Sequence, residues 1–241
     1  MPLVEFRDVS YVVGGRQILS EVNFTVEVGE TLVLLGRSGS GKTTALKMTN
    51  GMLLPTTGQV LVEGRPTTEW DPIRLKRHIG YVIQEVGLFP HFTVAENVGL
   101  VPRLEGWPAA DVEQRVEVLL GNMGLPPAEY LRRYPRQLSG GQRQRVGVAR
   151  ALAADPPLLL FDEPFGALDP VTRVELQRQF LDLRRDLQKT SIFVTHDVRE
   201  ALRLGTRIGL LTRGRLEVAA DPQTFRNART EEALAFLGSL E

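Results

Sequence analysis

The chain reads as an α/β fold built on a mainly parallel sheet, and three observations predict it. First, the glycine-rich loop Gly36-Arg37-Ser38-Gly39-Ser40-Gly41-Lys42-Thr43 lies between an apolar run, Thr31-Leu32-Val33-Leu34-Leu35, and a helical pattern from Thr43 to Met48. Second, the short apolar runs at residues 79–83, 158–161 and 191–194 alternate with helical segments. That is the pattern of buried parallel strands joined by crossovers. Third, β-like alternation fills most of residues 3–35, whereas residues 88–157 are helix-rich with Pro and Gly punctuation. The two blocks read as additions to the core, an antiparallel β subdomain and an α-helical subdomain.

Val4-Glu5-Phe6 alternates apolar and polar, as a half-buried strand does. Gly14-Gly15 is a hairpin signal between Ser10-Tyr11-Val12-Val13 and Gln17-Ile18-Leu19. Val22-Asn23-Phe24-Thr25-Val26 alternates again, and Val28-Gly29-Glu30 turns into the strand that feeds the loop. Thr57-Gly58 separates Pro55 from another strand, Gln59-Val60-Leu61-Val62. Asp71-Pro72 starts a helix, Asp as N-cap and Pro at the first helical position, expected to reach about His78. Val112, Val116, Leu119 and Leu120 fall at helical spacing. An amphipathic helix is expected over about 171–187, with Arg184-Arg185 on its solvated face. Residues 207–218 read as a hairpin turning at Arg213-Gly214, and a last helix covers about 231–237.

The 241 residues are 42% hydrophobic, ample for a core, and read as a single domain over 1–241. Basic residues number 29 and acidic residues 29, which argues against nucleic acid held by a general positive field. With no cysteine there is no disulfide framework and no thiol chemistry. The N-terminus lacks the basic-then-apolar pattern of a signal peptide, and no apolar run approaches the ~18 residues of a membrane span. The chain is expected to be soluble and to meet a membrane only by docking on another protein.

The glycine-rich loop carries the first chemistry. Gly36, Gly39 and Gly41 let the backbone turn its N–H groups inward, and the following helix adds a partial positive charge of roughly half a unit. Lys42 can reach β- and γ-phosphates and Thr43 can ligate Mg²⁺, so the expected ligand is a nucleoside triphosphate with Mg²⁺. Asp162-Glu163 follows the apolar run Leu158-Leu159-Leu160-Phe161, where two acids are costly without a task. Asp162 is read as holding the Mg²⁺ shell and Glu163 as the general base for water. Pro164 is expected to keep Glu163 extended. Leu138-Ser139-Gly140-Gly141-Gln142 contains an S-x-x-Q capping box, continued by the stripe Val146, Ala149 and Leu152. Capping leaves Gly140-Gly141 unexplained, because Gly in a first turn costs about 1 kcal/mol relative to Ala. Ser139 and the bare Gly N–H groups can form a second anion site, suited to a partner's nucleotide.

In this order the motifs resemble the ATPase subunit of ATP-binding cassette transporters, across nearly the whole chain. Leu138-Ser139-Gly140-Gly141-Gln142 is similar to that superfamily's signature. The resemblance implies a P-loop NTPase with a RecA-like core, an antiparallel β subdomain and a helical signature subdomain at about 88–157. It implies that Gly36, Arg37, Ser38, Gly39, Ser40, Gly41, Lys42, Thr43 and Thr44 hold ATP, with adenine on Tyr11. Gln84 sits where the family has its Q-loop glutamine, a Mg²⁺ ligand beside Thr43 and Asp162. Ala167-Leu168-Asp169 resembles the D-loop, and His196, in Val194-Thr195-His196-Asp197, resembles the switch histidine. A second copy would offer Ser139, Gly140, Gly141, Gln142 and Asp169, so the active form is expected to be an ATP-dependent homodimer. His78 and His91 read as surface or packing residues.

A narrower resemblance runs through residues 79–98, Leu100-Val101-Pro102 and Trp107. It is to bacterial importers of glycine betaine, choline and carnitine. It implies a permease docked near Gln84 to Val94, a substrate-binding protein beyond it, and a place at the cytoplasmic face of the membrane. Many of those ATPases carry C-terminal regulatory CBS domains, and the chain is expected to lack them. The rivals are a P-loop kinase, which has no use for the signature, a cassette ATPase outside transport, and an importer of amino acids, phosphate or polyamines.

Overall fold

The computed structural model describes residues 1–84, 87–166, 168–187 and 189–240, and within them all side chains except those of residues 183–187. Glu85 and Val86 of the narrower resemblance, Ala167 of the D-loop-like motif and the Arg184-Arg185 side chains lie outside the described residues. In chain order the strands are β1 (Val4–Val13), β2 (Arg16–Val26), β3 (Thr31–Leu35), β4 (Thr57–Val62), β5 (Arg65–Pro66), β6 (Ile79–Val82), β7 (Leu158–Asp162), β8 (Thr190–Thr195), β9 (Arg207–Thr212) and β10 (Arg215–Ala220). The fold is α/β. The chain forms two compact units, Met1–Lys76 with Lys189–Glu241, and Arg77–Gln188.

The first unit holds two sheets. One is antiparallel, in the order β2-β1-β4-β5, with β1 and β2 joined at Gly14-Gly15 as the turn chemistry predicts. The other has β3 between β8 and β9, parallel to both, with β10 antiparallel beyond β9. The turn at the β9–β10 end is Arg213-Gly214. All five residues of β3 and all six of β8 are buried, which explains their unbroken apolar runs. The helix Lys42–Thr49 leaves β3 through the loop and buries Ala45, Leu46 and Met48.

In the second unit β6 and β7 run parallel, and the helix Gly140–Leu152 packs on β6. The approach is close enough that a Cβ on Gly80 would lie 2.3 Å from the Ala151 carbonyl oxygen. The helix Ala109–Asn122 buries Val112, Val116, Leu119 and Leu120, the residues that the spacing selects. Its Arg115 donates to the carbonyls of Leu152 and Ala153 at 3.0 and 3.2 Å, closing the end of the Gly140–Leu152 helix. The short helices Val94–Val98, Leu100–Leu104 and Pro127–Tyr130 lie in the same block, and Pro170–Leu187 follows β7. Among the described residues no helix is long and apolar enough to cross a membrane.

Candidate functional site

In the first unit the loop between β3 and its helix is drawn tight by its own residues. Lys42, buried, donates from Nζ to the Gly36 and Arg37 carbonyls at 2.7 and 2.9 Å. Gly41 has φ 104°, and a Cβ there would lie 2.5 Å from Leu19 Cδ2. At Gly36 a Cβ would lie 2.3 Å from the Leu211 carbonyl oxygen. Neither position admits a larger residue. No side chain caps the helix Lys42–Thr49 at Gly41, and the partial positive charge of a helix N-terminus suits an anion. Ser40 Oγ is buried without a hydrogen-bond partner in the described structure.

Two further expected residues lie beside this loop. Tyr11, half-buried in β1, pairs across the sheet with Leu19, the residue packed on Gly41. Irregularities in register flank Tyr11 on both sides, the kind of bulge that re-aims a strand side chain. In the parallel pair β3–β8, Leu35 is opposite Thr195. Gly36 and His196 therefore leave neighbouring strands at the same edge of the sheet. His196 is exposed, and the bend that carries it is fixed on both sides. The Asp197 N–H donates to Thr195 Oγ1 at 3.0 Å, and the Thr195 hydroxyl donates to the buried Glu200 at 2.6 Å.

In the second unit Val82 is opposite Phe161, so Gln84 and the pair Asp162-Glu163 leave β6 and β7 at one edge. Gln84 is exposed and Asp162 is buried. The Tyr81 hydroxyl lies 3.4 Å from Asp162 Oδ2. Burial first, and the Asp162 charge second, push the Tyr81 phenol well above its ordinary range, so it stays a neutral donor. Glu163 departs from expectation: its φ is +45°, in the left-handed region. Proline does bar the right-handed helical region to its predecessor. The extended alternative gives way here because the chain reverses at once, the Gly166 N–H donating to the Glu163 carbonyl at 3.1 Å. Pro164 and Phe165 are buried beneath this turn and hold it.

Ser139 and Gln142 form the expected box. Gln142 N–H donates to Ser139 Oγ at 3.2 Å, and Ser139 N–H donates to Gln142 Oε1 at 2.9 Å. The Ser139 hydroxyl accepts in that bond and keeps its own hydrogen for an outside acceptor. A Cβ on Gly141 would lie 2.5 Å from Thr172 Cγ2, so the bare Gly141 follows from packing against the helix Pro170–Leu187. Gly140 is exposed, and a Cβ there would meet nothing nearer than Arg143 at 4.0 Å. Packing explains one glycine of the pair and not the other. Asp169 starts the neighbouring helix, accepting from the Val171 and Thr172 N–H groups at 3.1 and 3.0 Å. Hydrogen bonds from Thr172 first, then from Val171, hold its carboxyl below the usual range.

The expected residues thus fall into three groups: Tyr11, the loop and His196; Gln84, Asp162 and Glu163; and residues 139–142 with Asp169. One positioning residue escaped the sequence reading. Asn97, fully buried, accepts from the Phe89 N–H and donates to the carbonyls of Phe89, Phe92 and Thr93. It fixes the aromatic stretch in which Phe89 and His91 pack on Phe92, with Phe89 partly exposed. The signal was the Thr93/Glu96 capping box just before it.

A family model described as ABC transporter matches residues 19–166. The chain belongs to the ABC transporter family. Among family members, the osmoprotectant import ATP-binding protein OsmV of Salmonella typhimurium is 52% identical over 204 residues, 85% of this chain and 53% of that protein. The glycine betaine/carnitine/choline transport ATP-binding protein OpuCA of Bacillus subtilis is 47% identical over 226 residues, 93% of this chain and 59% of that one. The chain therefore spans between half and two thirds of the length of these ABC relatives. A dimeric structure of the ATP-binding cassette MJ0796, in a post-hydrolysis state bound to ADP and Pi, superposes with a TM-score of 0.81. It is 33% identical and covers 91% of this chain and 98% of its own.

Proposed function

We propose that this ABC family member is the ATP-hydrolysing subunit of an importer for quaternary-ammonium osmoprotectants such as glycine betaine, choline or carnitine. The observation that carries the cargo class is the 52% identity to OsmV, named for osmoprotectant import, and the 47% identity to OpuCA, named for glycine betaine, carnitine and choline transport. The chemistry is supported by the residues. In this reading the loop Gly36–Thr44 takes the phosphates, with Lys42 neutralising charge and Ser40 supplying a buried hydroxyl in need of an acceptor. Tyr11 stacks on adenine. Thr43, Gln84 and Asp162 offer only hydroxyl, amide and carboxylate oxygens, the donors that Mg²⁺ prefers. Bound there, Mg²⁺ would neutralise charge on the phosphate oxygens.

Glu163 takes the proton of the water that attacks the γ-phosphorus, and His196 donates a hydrogen bond to the γ-phosphate. Ser139, Gly140, Gly141, Gln142 and Asp169 serve the nucleotide of a second copy, so each hydrolytic site is shared. The permease docks on the aromatic stretch beside Gln84, where Phe89 is exposed and Asn97 holds the backbone. Through the permease, the subunit acts with a substrate-binding protein at the cytoplasmic face of the membrane. The chain releases phosphate from ATP without any acceptor substrate. Reconstituted with its permease and binding protein, it supports ATP-dependent uptake of radiolabelled glycine betaine. Uptake of a polyamine or amino acid in its place would refute the cargo, and phosphate transfer only to an added acceptor would refute the reaction.

A further inference from the structure

The helix Glu231–Gly238 reaches back to the loop near the other end of the chain. Arg37 Nε donates to Glu232 Oε1 at 2.6 Å, across 195 positions of sequence. The Glu232 side chain keeps 16% of its accessibility and that of Arg37 keeps 69%. A carboxylate so shielded costs free energy unless it is paired. Its place is fixed, because Thr230 caps the helix by accepting from the Ala233 N–H at 3.2 Å and Ala233 is buried. Glu232 is therefore a post, and Arg37 the arm that reaches it.

Arg37 is also tied from within. Its carbonyl accepts from the Lys42 ammonium at 2.9 Å and from the Ser40 N–H at 3.2 Å. One residue thus joins a tether outside the loop to the contacts that set the loop's first turn. On the same flank the Gly214 N–H donates to the Ser40 carbonyl at 3.1 Å. Arg37, Ser40, Thr212, Arg213, Glu231 and Glu232 line one open cleft of about 330 Å³ along this flank.

We propose that Glu232 is a positioning residue for the nucleotide-binding loop, acting through Arg37. The inference rests on the reading of residues 36–44 as nucleotide-binding. A tethered loop presents its N–H groups ready-set, whereas a loosened one must be ordered at the moment of binding.

The test is a mutant cycle read as ADP affinity by calorimetry, with Tm alongside. Glu232→Ala binds ADP about three-fold more weakly, in the range of a partly exposed ion pair. Its KM for ATP rises by a similar factor while kcat holds. Glu232→Gln, whose amide oxygen still accepts from Arg37, loses less, and it keeps the test open should Glu232→Ala fail to fold. In an Arg37→Ala background, Glu232→Ala has no further effect. Wild-type affinity in Glu232→Ala, a lower Tm alone, tighter binding through a freed Arg37, or the same loss in both backgrounds would each overturn the proposal. A wild-type chain that binds no ADP would instead defeat the reading of the loop, and this inference with it.

Discussion

Glu163 sits in a backbone conformation that costs an ordinary residue about 1–2 kcal/mol, at φ +45°. The buried Pro164 and Phe165, with the Gly166 N–H, impose it. Strain of this kind persists where the surroundings over-determine it, and it gathers at functional sites. The gain is an acidic side chain turned sharply off the end of a buried strand. Glu163→Gly is therefore expected to lose turnover without losing stability, since Gly takes this φ freely. Phosphate release and Tm check it, and a Tm several degrees lower would contradict it. As a candidate this residue was legible, because an acid pair after four apolar residues has few structural uses. Its conformation was not, because the rule for residues before proline says nothing of how abruptly the chain turns afterwards.

Helix starts organise the site at the next scale. Ser139 and Asp169 cap two adjacent helices, and Gly141 against Thr172 sets how closely those helices meet. Gly141→Ala is expected to destabilise by ~1–3 kcal/mol through overpacking. Adding Thr172→Ser, which removes the offending Cγ2, should restore most of that loss in thermal melts. Failure of the rescue would show that Gly141 answers to something other than this contact. Hairpins at Gly14-Gly15 and Arg213-Gly214 and the capping box at Ser139 were readable because each depends on residues a few positions apart. Val94–Val98 and Leu100–Leu104 fall in the block read as helix-rich but were not singled out, and Val198–Leu204 was not read at all, because five to seven residues hold too little periodicity to register. The packing reason for Gly141 was hidden too, since its neighbour lies 31 positions away in sequence.

At the scale of the whole molecule, parallel strands deliver chemistry from their C-terminal edges. Within the first unit β3 and β8 present Gly36 and His196 at such an edge, and within the second β6 and β7 so present Gln84 and Asp162-Glu163. Motif order made this placement legible, because each apolar run leads into a residue that the motifs single out. The return of the C-terminal helix to Arg37 had no local signal, only a glutamate in a helical first turn. Under the proposed function, residues 139–142 and Asp169 complete a site on a second copy, so hydrolysis and dimerisation stand or fall together. The most direct test is Glu163→Gln, followed by phosphate release and by sizing in ATP and in ADP. The account predicts turnover lower by ~10²–10⁴-fold, retained ATP binding, and a dimer that forms in ATP and not in ADP. Near-native turnover, or a monomer in saturating ATP, would contradict it.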